Sequence, residues 1–451
     1  MIEKWLFKRV DNSALIVFRV IFGLLITIEA WGALFTQWIR HTLLEGAFTF
    51  NFIGLGFLQP LPGNGMYFYY GLMGLFGVFI MVGFKYRWSV VFYGIMWSCV
   101  YLMQKSSYNN HYYLLMLLLG IMATFPANRY LSIDVWRKPA LKKISMPRWV
   151  YIVIIGQVWI VYTYGSIAKM YPDWLNATVP RLLMLGKKDY WLVGDILQQP
   201  WTHYTIAYVG ILYDGLIIPL LLWKRTRWFA FGFSIFFHLF NSIIFQIGIF
   251  PYMSLAFSLF FFSSRGVHDL FLKKKEYYGG DEVVAPPRYK PVLAVFLVYF
   301  AFQVGLPLRH WFIQDNVLWT EEGHRLSWRM MLRTKHGRIT IRIKDKKTGN
   351  IQLYNLDKLS RKQQRAISTK PDMIWQLVQR IKKEEGKQGR DVAIYVDARV
   401  RVNGRPYQSM IDPKYDMAEA QWDYWGHNDW ILPSNLAVKP TYGVDSDSSV
   451  D

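Results

Sequence analysis

The chain has 451 residues, of which 53% are hydrophobic and 18% aromatic, and carries a formal net charge of +21. That apolar content excludes an ordinary soluble protein, while a mean hydropathy of only +0.13 requires a polar portion of real size beside it. The single cysteine, Cys99, excludes an intrachain disulfide. The expected fold is a polytopic α-helical membrane bundle with a small C-terminal α+β domain attached.

Apolar stretches of roughly bilayer-crossing length are predicted at 14–36, 66–84, 88–104, 111–126, 149–168, 203–223, 228–248, 250–264 and 291–308, nine spans in all. The first is longer than a signal-peptide core and no small-residue cleavage site follows it, so it is expected to be retained. Twenty basic residues fall before span one and in every second loop thereafter, among them Lys8, Arg9, Arg137, Lys142, Arg225 and Lys274. The opposite loops hold six: Arg40, Lys105, Lys169, Arg181, Lys187 and Lys188. By the positive-inside rule the N-terminus is cytoplasmic and everything past Leu308 is extracytoplasmic, in periplasm or lumen. Basic loops facing anionic membrane lipid account for the net charge, and no nucleic-acid partner is expected.

After the ninth span the pattern changes from apolar runs to alternation. Residues 338–343 and 351–354 flank Lys347-Thr348-Gly349-Asn350 as a predicted hairpin, residues 392–400 form a further strand, and 360–385 are helical and charged. The expected division is a membrane domain over 1–310, an extracytoplasmic α+β domain over 311–438 and a disordered tail over 439–451.

Lys169 closes the apolar run 149–168, where an ammonium is costly; it either snorkels to the interface or is held neutral, and a neutral amine is a base. Asn110 and His111 open span four and His310 follows span nine, so these groups share the outer face with Lys169. Deeper, His238 and Asn241 lie at i, i+3 on one face of span seven. Each has a structural alternative: a satisfied bundle histidine for His238, a helix cap for Asn110. Arg19, Glu29 and Asp214 are expected to be buried ion-pair or hydrogen-bonding structure. No metal-ligand spacing, phosphate loop or nucleophile elbow is present in the sequence.

Four ordered blocks carry a family likeness: Tyr108-Asn109-Asn110-His111-Tyr112-Tyr113-Leu114; Gly156-Gln157 through Lys169 to Asp173-Trp174; Phe237-His238 with Asn241-Ser242; and Leu306-Pro307-Leu308-Arg309-His310 followed by Trp319 and Ser327-Trp328-Arg329-Met330-Met331. Together they resemble the vitamin K-dependent gamma-carboxylase family, whose membrane part is also called the horizontally transferred transmembrane domain (HTTM). The resemblance implies a lyase and epoxidase in one. A reduced vitamin K, menaquinol or a related naphthohydroquinone, is deprotonated by a lysine and reacts with O₂ to give a strongly basic alkoxide and then the epoxide. The alkoxide removes a γ-proton from a protein glutamate, and the carbanion captures CO₂.

On this likeness Lys169 matches the base, Asn110 and His111 the adjacent polar pair, and His310, Trp319 and Trp328 the substrate side, with His238 and Asn241 toward the quinone. A prenylated quinone, membrane lipid and a glutamate-containing peptide or protein are the implied partners, with no metal. The disulfide cysteines of animal members are absent. The alternatives are a quinone-epoxidising membrane enzyme without peptide carboxylation and a non-catalytic quinone- or lipid-binding membrane protein.

Overall fold

The computed structural model describes residues 2–285, 289–438 and 440, so the expected tail lies almost wholly outside the described residues. Nine helices occupy the nine predicted stretches: α1 (Ser13–Phe35), α2 (Gly65–Val82), α3 (Tyr86–Met103), α4 (Asn110–Thr124), α5 (Trp149–Lys169), α6 (Pro200–Leu222), α7 (Arg227–Phe245), α8 (Phe250–Phe257) and α9 (Tyr289–Leu308). Among the described residues, six are long and apolar enough to cross a membrane: α1, α2, α5, α6, α7 and α9. Six of the nine expected spans thus have the length and composition of a crossing, and the full count of nine is not confirmed. With 15 residues, α4 is about 22 Å long, short of a hydrocarbon core about 30 Å thick. α3 opens with Arg87 and Ser89, and α8 ends in a 3₁₀ turn at Ser258–Phe260.

Small residues set the close packing of the bundle. A Cβ at Gly23 of α1 would lie 2.4 Å from the Met81 backbone nitrogen on α2, so α1 and α2 approach only because that position is bare. Leu15, Phe18, Phe22 and Ile26 of α1 are thereby buried completely. On the basic side a two-stranded ribbon, Arg9–Asp11 against Ser145–Pro147, ties the chain start to the α4–α5 connection. Asp11 there accepts from Lys275 Nζ at 2.5 Å, both side chains buried.

The C-terminal part is a four-stranded antiparallel sheet with two helices. β1 (Lys335–Asp345) pairs with β2 (Ile351–Leu353), as the hairpin pattern predicts, and along its full length with β3 (Val392–Val402). β4 (Gln408–Ser409) completes the order β2-β1-β3-β4. The predicted helix over 360–385 is two helices, α10 (Arg361–Ile367) and α11 (Pro371–Lys387). Ser360 and Gln363 form a reciprocal capping box that starts α10. Pro371 disfavours helical backbone at Lys370 and so separates the two helices. Ile374, Leu377, Val378 and Ile381 of α11 pack with Ile394, Val396 and Ala398 of β3 in one core, which also takes Phe50 from the α1–α2 connection.

Buried ion pairs close the joint between the two parts. Lys105, just past α3, pairs with Asp372, whose other oxygen accepts from Arg325 Nη2 at 3.1 Å. Burial pushes the Asp372 carboxyl up, but Arg325 and Lys105 hold it well below the usual carboxylate range. Four residues past Lys169, Asp173 accepts both Nη atoms of Arg405 at 2.5 and 2.9 Å and Asn403 Nδ2 at 2.8 Å.

Candidate active site

α5 ends at Lys169 because Tyr171-Pro172 cannot continue it, which leaves the ammonium one turn from the end of an apolar helix. Its Nζ reaches Asp214 Oδ2 on α6 at 2.5 Å and the Gly165 carbonyl at 3.1 Å. Gly165 makes the room, since a Cβ there would sit 3.0 Å from the same Asp214 oxygen. Ser166 Oγ, donating to the Ile211 carbonyl at 2.9 Å, fixes the register of α5 on α6. The lysine is buried, 8% exposed, and lies over the Trp174 ring at 5.7 Å. Asp214, expected in a buried ion pair or hydrogen bond, is in such a pair, and its partner is Lys169.

Lys169 and Asp214 open on a cavity of about 220 Å³ with apolar walls, also lined by His111, His238 and Asn241. His238 Nε2 sits between two hydroxyls, Tyr213 at 2.9 Å and Tyr162 at 3.1 Å, while its buried Nδ1 has no hydrogen-bond partner. Neither tyrosine was singled out in the sequence, because both are ordinary occupants of aromatic-rich spans. His111 stacks on Phe250 of α8, ring centroids 4.0 Å apart at 20°.

The remaining predicted residues lie elsewhere. The cap of α4 is Asn109, which accepts from the Tyr112 amide at 2.7 Å, and not Asn110. Asn110 instead donates to the Arg329 carbonyl at 2.8 Å and accepts from Tyr108, holding the 321–331 segment over the bundle. His310 accepts from Arg329 Nη1 at 3.1 Å, with its other nitrogen on the Pro307 carbonyl, and does not line the Lys169 cavity. Trp319 is wholly buried in the sheet domain, its Nε1 donating to Leu432 at 2.8 Å. Trp328 is buried against Tyr113, centroids 4.8 Å apart. Neither tryptophan lines the cavity.

A second, polar pocket of about 460 Å³ lies above the first, between the start of α4, the 321–335 segment and α10. His111, Met330 and Met331 line both. The segment that forms this partition is strained: Glu321, Leu326, Trp328 and Met331 have φ of 64°, 60°, 55° and 52°, in a region that non-glycine residues seldom adopt.

Fold and site together define an integral membrane protein with a buried lysine–aspartate pair in a cavity with apolar walls, roofed by a small sheet domain. The HTTM domain matches residues 7–265, and the lumenal domain of vitamin K-dependent gamma-carboxylase matches residues 288–437. The chain belongs to the vitamin K-dependent gamma-carboxylase family. A lumenal-domain match fits an extracytoplasmic position for the sheet domain. No solved structure matches the chain.

Proposed function

We propose that this protein is a vitamin K-dependent gamma-glutamyl carboxylase that couples epoxidation of a reduced naphthoquinone by O₂ to proton removal and CO₂ addition at a protein glutamate. The observation that supports it most is convergence: His111 from α4, Lys169 from α5, Asp214 from α6 and His238 and Asn241 from α7 line one apolar cavity. A flat, largely apolar ligand with two oxygens suits such walls. His238 belongs to that wall, its Nε2 held between the hydroxyls of Tyr213 and Tyr162. When bound, the hydroquinone supplies the reductant for O₂ and, on oxidation, the strong base that the protein's own side chains lack.

Lys169 and Asp214 act as one proton-accepting unit. An ammonium facing a carboxylate has no lone pair on nitrogen, so the pair takes up a proton either at Asp214 or at a Lys169 amine left by prior loss of its proton. Trp174 and the apolar walls exclude water and keep that proton within the pair. His111 lines the cavity, and Asn110 acts through the backbone it holds. The excess of basic residues in alternate loops supports a cytoplasmic N-terminus and an extracytoplasmic sheet domain.

The test uses the full chain in lipid nanodiscs with a naphthohydroquinone, O₂, bicarbonate and a glutamate-containing peptide. The expected result is epoxide together with the mass gain of one CO₂ on glutamate. Epoxide without that gain restricts the activity to quinone epoxidation, and neither product reduces the protein to a quinone- or lipid-binding role.

A further inference from the structure

A separate cavity of about 550 Å³ lies between α1, α3, the start of α4 and α8, and none of its lining residues lines the Lys169 cavity. Glu29 of α1 sits in its wall. The carboxylate accepts from Tyr112 Oη at 2.6 Å and has no cation beside it among the described residues. No basic side chain lines the cavity, whereas Trp38, Tyr70, Trp97, Tyr101 and Tyr252 join Tyr112 there with their rings. Ser107 adds a buried hydroxyl without a hydrogen-bond partner. A carboxylate inside an apolar helix is costly until a cation reaches it, and aromatic walls favour the same cation.

The cavity opens sideways. Ile28 and Thr36 of α1 and Tyr252 of α8 line it and are exposed, and a Cβ on Gly32, one turn from both Ile28 and Thr36, would meet nothing within 4 Å. Glu29 is six residues, about 9 Å, from the last residue of α1, Phe35. That end is the one next to the sheet domain, because Gln104 and Ser107 of the same wall flank Lys105, the partner of Asp372. An amphiphile in the bilayer can thus reach Glu29 with its polar head while its tails stay in lipid.

We propose that this cavity takes the primary ammonium of a phosphatidylethanolamine headgroup, with Glu29 as counter-ion and the phosphate left in the mouth. A primary ammonium has three N–H donors, and the free oxygen of Glu29 and the hydroxyl of Ser107 are acceptors for it. A trimethylammonium would fill the aromatic walls but leave those acceptors unmet, and a headgroup without an amine would bring only negative charge toward Glu29. Nothing in this site depends on the carboxylation reading.

The experiment is native mass spectrometry of the full chain released from nanodiscs that hold phosphatidylethanolamine, phosphatidylcholine and phosphatidylglycerol in equal parts with the same acyl chains. The ethanolamine lipid is expected to be retained about tenfold or more over each of the others, as a paired and aromatic-caged ammonium requires. Glu29→Gln, which keeps an acceptor for Tyr112 and removes the charge, should abolish that preference. Ile95→Ala, exposed on α3 and not part of the cavity wall, is the control and should change nothing. Equal retention of the choline or the glycerol lipid, or a preference that survives Glu29→Gln, overturns the proposal. So does soluble phosphoethanolamine displacing the lipid at equal or lower concentration, which would make the cavity a site for a water-soluble amine. If Glu29→Gln misfolds, Gly32→Leu decides: it places a side chain in the open mouth without touching Glu29, and a preference that survives it overturns the proposal as well.

Discussion

Lys169 and Asp214 meet across α5 and α6 with Nζ and Oδ2 2.5 Å apart, in a space that Gly165 leaves open for them. Lys169→Ala is expected to abolish epoxide formation while the protein stays folded, and Lys169→Arg to do no better, because a guanidinium does not give up its proton. Asp214→Asn should cost about a hundredfold or more as well, and the double variant no more than the worse single one, because the two residues work as a unit. Additive losses in that cycle would separate Asp214 from the chemistry. Near-normal epoxide yield from Lys169→Ala would end the base assignment.

For His111 the packing and chemical roles can be pulled apart. His111→Phe keeps a ring against Phe250 and removes the two nitrogens. Turnover should fall at least about a hundredfold, as when a positioned catalytic group is lost, with the melting temperature nearly unchanged. Retained activity would leave His111 as a stacking residue in the partition.

Arg405→Met breaks a buried ion pair that joins the sheet domain to the turn just after Lys169, both partners being at most 5% exposed. It leaves the Asp173 carboxylate without its guanidinium, which typically costs about 3 to 5 kcal/mol. Thermal unfolding followed by tryptophan fluorescence should show the loss. An unchanged melting temperature would mean that the sheet domain is held to the bundle by its other contacts, such as Lys105 with Asp372.

Topology is checked with cysteines in a Cys99→Ala background. Gln388→Cys, exposed just past α11, should react with an impermeant thiol reagent in intact cells or spheroplasts, and Lys273→Cys, exposed in the loop before α9, only after lysis. The opposite pattern would invert the protein in the membrane.

Periodicity and charge in the sequence determined where the helices lie, which loops are basic, the β1–β2 hairpin and the candidate base, because apolar runs, alternation and an intramembrane lysine are local signals that need no partner. Distances between segments are not local. Only the tertiary structure placed Asp214 of α6 against Lys169 of α5 and put His111, His238 and Asn241 on the same cavity. It also placed Trp319 and Trp328 in the two cores, where their large rings are fully buried. Hydropathy gave α3 and α4 to within about two residues at each end but ran past the end of α8, where a tight 3₁₀ turn at Ser258–Phe260 stops the regular helix. The polar pocket was invisible in the chain order for the same reason. Its cations are spread from Arg329 to Lys370 in the chain, and only the packing of the 321–335 segment against α10 brings them around one space.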